Sequence, residues 1–194
     1  MTQVFDEEGK VYPVTVLQAG PVVVTQVKDE KRDGYKAVQV GFGILNPKNV
    51  NKAQKGHFKD LGNFKNLKEF RIEGEESFNV GDKIDASSFA EGDNVAVSSI
   101  SKGKGFQGVV KRHGFKGGSR THGQKHSERE PGSISGGVRE GGRVQKNMKM
   151  AGRMGSDRVT VKNLKVVKID AKNNQILIKG AIPGRRGTLV EILG

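Results

Sequence analysis

The feature that most constrains this chain of 194 residues is a basic, glycine-rich segment in its interior, residues 101–155. Its 55 residues carry seven Lys and six Arg against three acidic residues, a formal charge of +10, and the rest of the chain carries +3. Only 11 of them are apolar. That is too few to offset the entropy of ordering the backbone, about 1–2 kcal/mol per residue. We therefore expect the segment to be disordered alone and to fold on a partner, between two junctions with a folded body.

The flanking sequence predicts a mainly β body. Short β-branched runs between turn signals lie at 11–17, 22–28, 35–42, 94–100, 158–170, 175–181 and 188–193. Strands at this spacing favour a small β-barrel or a sandwich, and residues 171–174 fit the loop of a hairpin.

A different pattern begins after the third of these strands. Residues 46–77 are rich in Lys and Asn, and they predict one or two short helices within 50–58 and 61–70. A strand and a turn are predicted at 78–84. The expected organisation is a β body, either a barrel or a sandwich, with a small inserted α/β subdomain and a long irregular extension. The body comprises residues 1–45, 95–102 and 157–194. The subdomain comprises residues 46–94, and the extension comprises residues 103–156.

Composition excludes several classes of protein. A net charge of +13 and a pI of about 10 indicate a polyanionic partner. The absence of Cys excludes a disulfide framework, a thiol nucleophile and cysteine-ligated metal sites. No apolar run approaches the roughly 18 residues that span a bilayer, and the first residues lack the apolar stretch of a signal peptide. We expect no membrane partner.

Glycines 103, 105 and 108 form a G-x-G-x-x-G pattern behind a predicted strand, as in dinucleotide-binding loops. The following residues include glycines at 114, 117 and 118, and they predict neither a long amphipathic helix nor a β-α-β alternation. We therefore expect no nucleotide cofactor and no small-molecule substrate. The favoured interpretation is a loop that lays backbone N–H groups, Lys102 and Lys104 along nucleic-acid phosphates, and a flexible loop is the alternative.

Three of the four histidines lie in the basic segment, at His113, His122 and His126. The spacing of the last two suits metal ligands on one helix, but the Gly123 between them opposes a helix. No apolar pocket is indicated that would tune an acid–base catalyst. We predict neither a metal site nor a catalytic residue, and favour imidazoles that stack on bases or bind phosphate.

A methionine cluster lies near the end of the segment, in KNMKMAGRMG at 146–155. Met148, Met150 and Met154 are interleaved with basic residues. Two interpretations stand, a small packed turn or a soft apolar tip that packs against RNA.

Several motifs together resemble one protein family. They are S-K-G-K-G-F at 101–106, T-H-G at 121–123, P-G-S-I at 131–134, K-M-A-G-R-M-G at 149–155, R-V-T-V at 158–161 and K-G-A-I-P-G at 179–184, with D-G-Y-K-A-V-Q-V at 33–40. In this order and over nearly the whole chain they are similar to ribosomal large-subunit protein three, of the bacterial type.

The resemblance implies a structural role without enzymatic activity. It implies a barrel of the translation-protein type on the outer face of the large subunit and an extension that runs through rRNA toward the peptidyl-transferase centre. It also implies an early role in subunit assembly, neighbouring ribosomal proteins as partners, and a place in cytoplasmic ribosomes, with organellar ribosomes left open. Family members begin with a further strand, which we expect to be missing here.

The predicted RNA-binding residues follow from the segment's charge and from this resemblance. They are Lys102, Lys104, Phe106, Lys111, Arg112, His113, Lys116, Arg120, His122, Lys125, His126, Arg129, Arg139, Arg143, Lys146, Lys149 and Arg153. The residues expected at the tip near the catalytic centre are Met148, Met150 and Met154. Where some bacterial members carry a methylated Gln, this chain has Arg153, so we do not expect that modification.

Three rival functions share part of this pattern. A general DNA-binding protein would share the charge, but we find no dimerisation pattern or recognition helix. An enzyme with a mobile lid would need catalytic groups on the body, where His57 is the one histidine. A free-standing RNA chaperone or translation factor shares all of these features.

Overall fold

The computed structural model of the chain describes residues 1–72, 78–134, 136 and 141–194. The strands among these residues are β1 (Thr2–Phe5), β2 (Val11–Gln18), β3 (Val22–Lys28), β4 (Ala37–Ile44), β5 (Phe64–Arg71), β6 (Lys83–Ile84), β7 (Asn94–Ile100), β8 (Gly105–Gln107), β9 (Gly152–Met154), β10 (Arg158–Asp170), β11 (Gln175–Lys179) and β12 (Val190–Leu193). The helices are α1 (Glu30–Asp33), α2 (Lys52–Phe58) and α3 (Val109–His113), with 3-10 turns at Pro47–Asn49, Lys59–Leu61, Ala86–Ser88 and Ser127–Arg129.

The strands form three sheets. A six-stranded sheet has the order β1-β2-β11-β10-β7-β12, a four-stranded sheet the order β5-β4-β3-β6, and β8 pairs with β9 alone. The prediction of a mainly β chain is confirmed. Each larger sheet is a row with two different end strands, so none closes into a barrel among the described residues. The closed small barrel predicted from strand spacing is therefore not found there.

Valine-rich strands build the core of the four-stranded sheet. Val24, Val38 and Val40 are buried on β3 and β4, and Phe70 and Ile84 pack against them from β5 and β6. β-branched side chains suit such a pleated, buried surface, which is why these runs form strands. In the larger sheet, Val14 on β2 and Ile176 and Ile178 on β11 are completely buried.

The segment predicted as a subdomain with short helices forms one helix and one strand. Helix α2 lies within 50–58 as predicted, and the Asn51 capping box begins it. The second predicted helix, within 61–70, is wrong, because β5 occupies 64–71 and pairs antiparallel with β4. A Cβ on Gly41 of β4 would lie 2.5 Å from the Phe64 ring. The Phe64 ring therefore packs directly on the glycine backbone. It also packs edge to face on the ring of the buried Phe58, with the two ring centroids 5.5 Å apart.

Lys28, Tyr35 and Glu69 form a hydrogen-bonded cluster at the four-stranded sheet. Lys28 Nζ lies 2.9 Å from Glu69 Oε1 and 2.8 Å from the Tyr35 hydroxyl, which donates to Glu69 Oε2 at 3.0 Å. The hydrogen bond from Lys28, then that from Tyr35, lowers the pKa of Glu69 below its usual value. The hydrogen bond of Lys28 with the Tyr35 hydroxyl, then that with Glu69, raises the pKa of Lys28 above its usual value.

The predicted loop at 171–174 joins β10 to β11 as an antiparallel hairpin. The Asp170 carboxylate accepts hydrogen bonds from the Asn173 side chain at 2.7 Å and from the backbone N–H groups of Lys172 and Asn173. These donors favour the ionised form and lower the pKa of Asp170. The side chain of the last residue of β10 therefore closes the short polar loop.

The chain divides into two compact units. The first, the body unit, comprises Met1–Ala96, Lys162–Ala181 and Leu193–Gly194, and the second, the basic unit, comprises Val97–Val161 and Ile182–Ile192. The sequence of the basic unit holds 16 Lys and Arg against five Asp and Glu, a formal +11 of the chain's +13. The units therefore divide the charge even more sharply than the segment 101–155 does.

Candidate nucleic-acid interface

Two short strands hold the outgoing and returning limbs of the extension side by side at its root. Strand β8 pairs antiparallel with β9, with Gly105 opposite Met154, Phe106 opposite Arg153 and Gln107 opposite Gly152. The Lys104 N–H donates to the Met154 carbonyl at 2.9 Å. These backbone bonds give the root its own structure, so the expectation that the whole segment is disordered alone does not hold there.

A close backbone approach just outside this ribbon requires glycine. Gly155 has a φ of +77°, and a Cβ there would lie 2.2 Å from the Lys102 carbonyl oxygen. No side chain fits that space, and the left-handed backbone is also unfavourable for other residues. Beyond it the Ser101 N–H donates to the Asp157 carbonyl at 2.9 Å, which continues the pairing of the limbs.

Two predicted RNA-binding residues on helix α3 contact the protein's own backbone. Arg112 Nη1 donates to the Met150 carbonyl at 2.8 Å, and His113 Nε2 lies 3.0 Å from the same oxygen. A Cβ on Gly152 would lie 2.5 Å from Arg112 Nη1, so the guanidinium rests on bare backbone. Both side chains are half-buried. This contact, the Arg112 clamp, joins the outgoing limb to the returning one, and RNA binding by these two residues stays a prediction.

The outgoing limb then forms a closed loop between residues 117 and 130. The Gly118 N–H donates to the Glu128 carbonyl at 2.8 Å, and Arg120 forms an ion pair with the Glu128 carboxylate. Gln124 Nε2 donates to the Ser127 hydroxyl at 2.6 Å. The charge of Arg120, a predicted phosphate ligand, is therefore partly offset by a neighbour, while the rest of the loop's cations are not.

Most predicted RNA-binding side chains are exposed on the basic unit. The exposed residues among them are Lys102, Lys104, Phe106, Lys111, Lys116, Arg120, His122, Lys125, His126, Arg129, Arg143, Lys146, Lys149 and Arg153. Phe106 is 76% exposed and lies directly opposite Arg153 in the ribbon. An exposed aromatic ring next to a guanidinium suits stacking on an unpaired base. Arg139 lies outside the described residues.

The methionines Met148, Met150 and Met154 are all half-buried, which leaves both interpretations of the cluster open. Met150 provides the carbonyl of the Arg112 clamp, and Met154 lies in the ribbon. The three are thus distributed along the returning limb between its far part and its root.

The histidines of the basic unit do not assemble a metal site. His122 and His126 are exposed and lie outside any helix, as the glycine between them predicted. No group of three or more potential ligands that could hold a metal ion occurs in the described parts of the chain. Within those same parts, no helix has the length and apolar character needed to cross a membrane.

Three cations that the sequence-based prediction missed belong to the same unit, Arg158, Arg185 and Arg186, and Arg158 forms an ion pair with Glu191. Arg185 and Arg186 are exposed in the turn before β12. In the sequence they lie 30 residues beyond the basic segment, so a division of the charge along the chain assigns them to the body. The pair Arg-Arg between two glycines, at 184–187, was the signal that could have shown them.

Comparisons with known proteins agree on one family. The family model described as Ribosomal protein L3 matches residues 71–175. The large ribosomal subunit protein uL3 of Nocardia farcinica is 54% identical over 99% of this chain and 87% of that protein. The proteins of the same name from Herpetosiphon aurantiacus and Finegoldia magna are 51% and 50% identical, over 99% of this chain and 91% and 92% of those proteins.

Proposed function

Because this chain belongs to the ribosomal protein L3 family, we propose that it is a structural component of the large ribosomal subunit and binds large-subunit rRNA through its basic unit. The family is not enzymatic, so the function is to hold RNA in place. The relatives are named for the large ribosomal subunit of bacteria, which supports a place in cytoplasmic ribosomes.

The observation that carries the proposal is the unneutralised charge of the basic unit. Its formal charge is +11, and most of its cations are exposed and form no ion pair among the described residues. Such an array costs free energy through self-repulsion unless a polyanion covers it. RNA phosphates would neutralise it and release counterions on binding.

We propose different roles for the predicted domains. We propose that residues 1–45, 95–102 and 157–194, with the subdomain at 46–94, dock on the surface of the subunit beside neighbouring ribosomal proteins. The extension at 103–156 then passes between rRNA helices toward the peptidyl-transferase centre, with Met148 and Met150 beyond the root ribbon that holds Met154. A root that is already ordered gives the remaining residues a fixed starting point, which lowers the entropic cost of folding on RNA. Early binding of this kind would nucleate assembly of the subunit.

Salt dependence of binding tests the proposal. The full chain is titrated with bacterial large-subunit rRNA at several salt concentrations, with duplex DNA as competitor. Each phosphate contact contributes about 0.7–0.9 to the slope of log affinity against log salt. Changing Lys146→Gln with Lys149→Gln should therefore lower the slope by about 1.4–1.8.

The matched control changes two exposed lysines of the body unit, Lys52→Gln with Lys55→Gln, and should leave the slope unchanged. A salt-independent affinity, or equal loss in both double variants, contradicts the proposal. Duplex DNA that competes as well as rRNA would favour the general DNA-binding alternative instead.

A further inference from the structure

A concave cleft lies inside the basic unit at the root of the extension. Its volume is about 650 Å³, and its walls come from both limbs of the extension and from the turn that starts at Ile182. Sites that enclose small ligands measure about 300–1,000 Å³. The cleft is thus large enough for one nucleotide and too small for a duplex.

The rim of the cleft carries positive charge. Lys102, Lys104 and Arg153 line it and are exposed, and none of them forms an ion pair in the described part of the chain. Asp157 is the one acidic residue of the lining, and its backbone N–H is held by the Ser101 hydroxyl at 3.3 Å. Three free cations around one cavity suit a phosphate group, and the carboxylate suits an amino group or a sugar hydroxyl.

Part of the lining of the same cleft is apolar. Met154, Ile182 and Pro183 line it and are half-buried. In the ribbon the residue opposite Met154 is Gly105, which has no side chain to cover it. A cavity lined by exposed cations and by half-buried apolar side chains suits a nucleotide, which has a phosphate at one end and a flat base at the other.

The walls are already held in place by the protein itself. The Arg112 clamp ties the two limbs, and Gly155 brings the backbone of Lys102 against the returning limb. A preformed cavity binds with a smaller ordering cost than one that must be assembled.

We propose that this cleft takes a single unstacked nucleotide of large-subunit rRNA. Its phosphate lies between Lys102, Lys104 and Arg153, and its base lies on Met154 and Ile182. This inference rests on the proposed function and adds to it a shape-specific site. The exposed cations elsewhere on the extension contact phosphates without selecting an unpaired base.

The test fills the cleft without altering its charge. The full chain with Ile182→Trp is compared with wild type for affinity to bacterial large-subunit rRNA, and 2′-hydroxyl acylation maps the flexible nucleotides in each complex. We expect affinity to fall about tenfold, as for loss of one base contact, with the salt slope unchanged. One nucleotide that is protected by wild type should become reactive.

The matched control is Val159→Trp, on β10 in the same unit and outside the cleft lining, which should bind like wild type. If Ile182→Trp does not fold by thermal unfolding, Met154→Trp fills the cleft from the other wall. Filled variants that bind rRNA like Val159→Trp, with the same acylation pattern, overturn the inference. That outcome would point to a neighbouring protein as occupant. Failure of wild type to bind rRNA would instead refute the proposed function.

Discussion

The body unit and the basic unit are stabilised in different ways. Of the 14 buried apolar residues among the described ones, 12 lie in the body unit, and only Val97 and Val109 lie in the basic unit. The body unit has a nearly balanced formal charge of +2, whereas the basic unit carries +11. Burial of apolar surface therefore holds the body, and backbone hydrogen bonds and close glycine contacts hold the root of the extension.

This difference teaches how one chain can combine a stable base with an exposed cationic surface, the one that we propose binds RNA. An unpaired cation contributes little to folding, but it can contribute to binding a polyanion. Residues that stabilise the body should therefore have little effect on RNA affinity, and the exposed residues of the extension should show the reverse.

The largest effect on stability should come from removing a buried side chain from the core of the body unit. Phe58 is 1% exposed and packs edge to face on Phe64. Phe58→Ala should lower the free energy of unfolding by about 3–5 kcal/mol, because a buried ring is replaced by a cavity. Urea unfolding measures this loss. The control Phe106→Ala, at a ring that is 76% exposed, should leave stability unchanged and weaken rRNA binding. Equal destabilisation by both changes would remove the distinction between the units.

A smaller effect should come from the backbone of the root. Gly155→Ala places a methyl group against the Lys102 carbonyl at a positive φ, which costs about 1–3 kcal/mol of local strain or opens the ribbon. Hydrogen exchange should show faster exchange of the β8 and β9 amides. Gly187→Ala is the control, since Gly187 has a similar φ of +75° but no atom within 4 Å of its added Cβ. Unchanged protection of the ribbon in Gly155→Ala would contradict this account of the root.

The Arg112 clamp should have a more local effect. Arg112→Met keeps the length of the stem but removes the donor to the Met150 carbonyl, a loss of about 1–2 kcal/mol. Amides of β9 should exchange about tenfold faster. The neighbouring Lys111→Met removes an exposed charge from the same helix and should leave exchange unchanged. If Lys111→Met has the greater effect on exchange, the clamp is not what orders the returning limb.

The smallest effect should come from the ion pair of the body. Because the pKa of Glu69 is lowered in the folded chain, its contribution is complete above the ordinary carboxyl pKa and is lost as pH falls through the lower folded value. The side chain is about a third exposed, so solvent limits the contribution to less than about 1 kcal/mol. Glu69→Gln should therefore lower the urea midpoint slightly at pH 7, and the difference from wild type should shrink as pH falls below the ordinary carboxyl pKa. A difference that grows toward pH 3 would reverse the assigned sign.

Strand prediction succeeded where local pattern and tertiary environment agree. Strands β3, β7 and β10 have the bounds that their β-branched runs predicted, and the β10–β11 hairpin has the predicted loop. The prediction of a helix within 61–70 failed because its Lys- and Asn-rich composition does not indicate the strand that pairs there with β4. Pairing with a distant segment decided its conformation, and single-sequence propensity does not contain that information.

Prediction of the candidate nucleic-acid interface from the sequence has the same limit, because it also lacks information on distant contacts. The exposed cations were predicted from composition because charge density is a local property of the sequence. The inward turn of Arg112 and the addition of Arg185 and Arg186 depend on which backbone lies nearby.

By itself, the sequence determined a mainly β protein, the family, and a basic, apolar-poor internal excursion, because strand propensity, motif order and charge are carried by neighbouring residues. The tertiary structure alone decided that the sheets stay open among the described residues, that the root of the excursion is a ribbon closed over Gly155, and that cations from both limbs surround one cleft. The physical reason is that these features arise from contacts between residues far apart in the chain, where a single missing Cβ or a shared carbonyl decides which segments can meet.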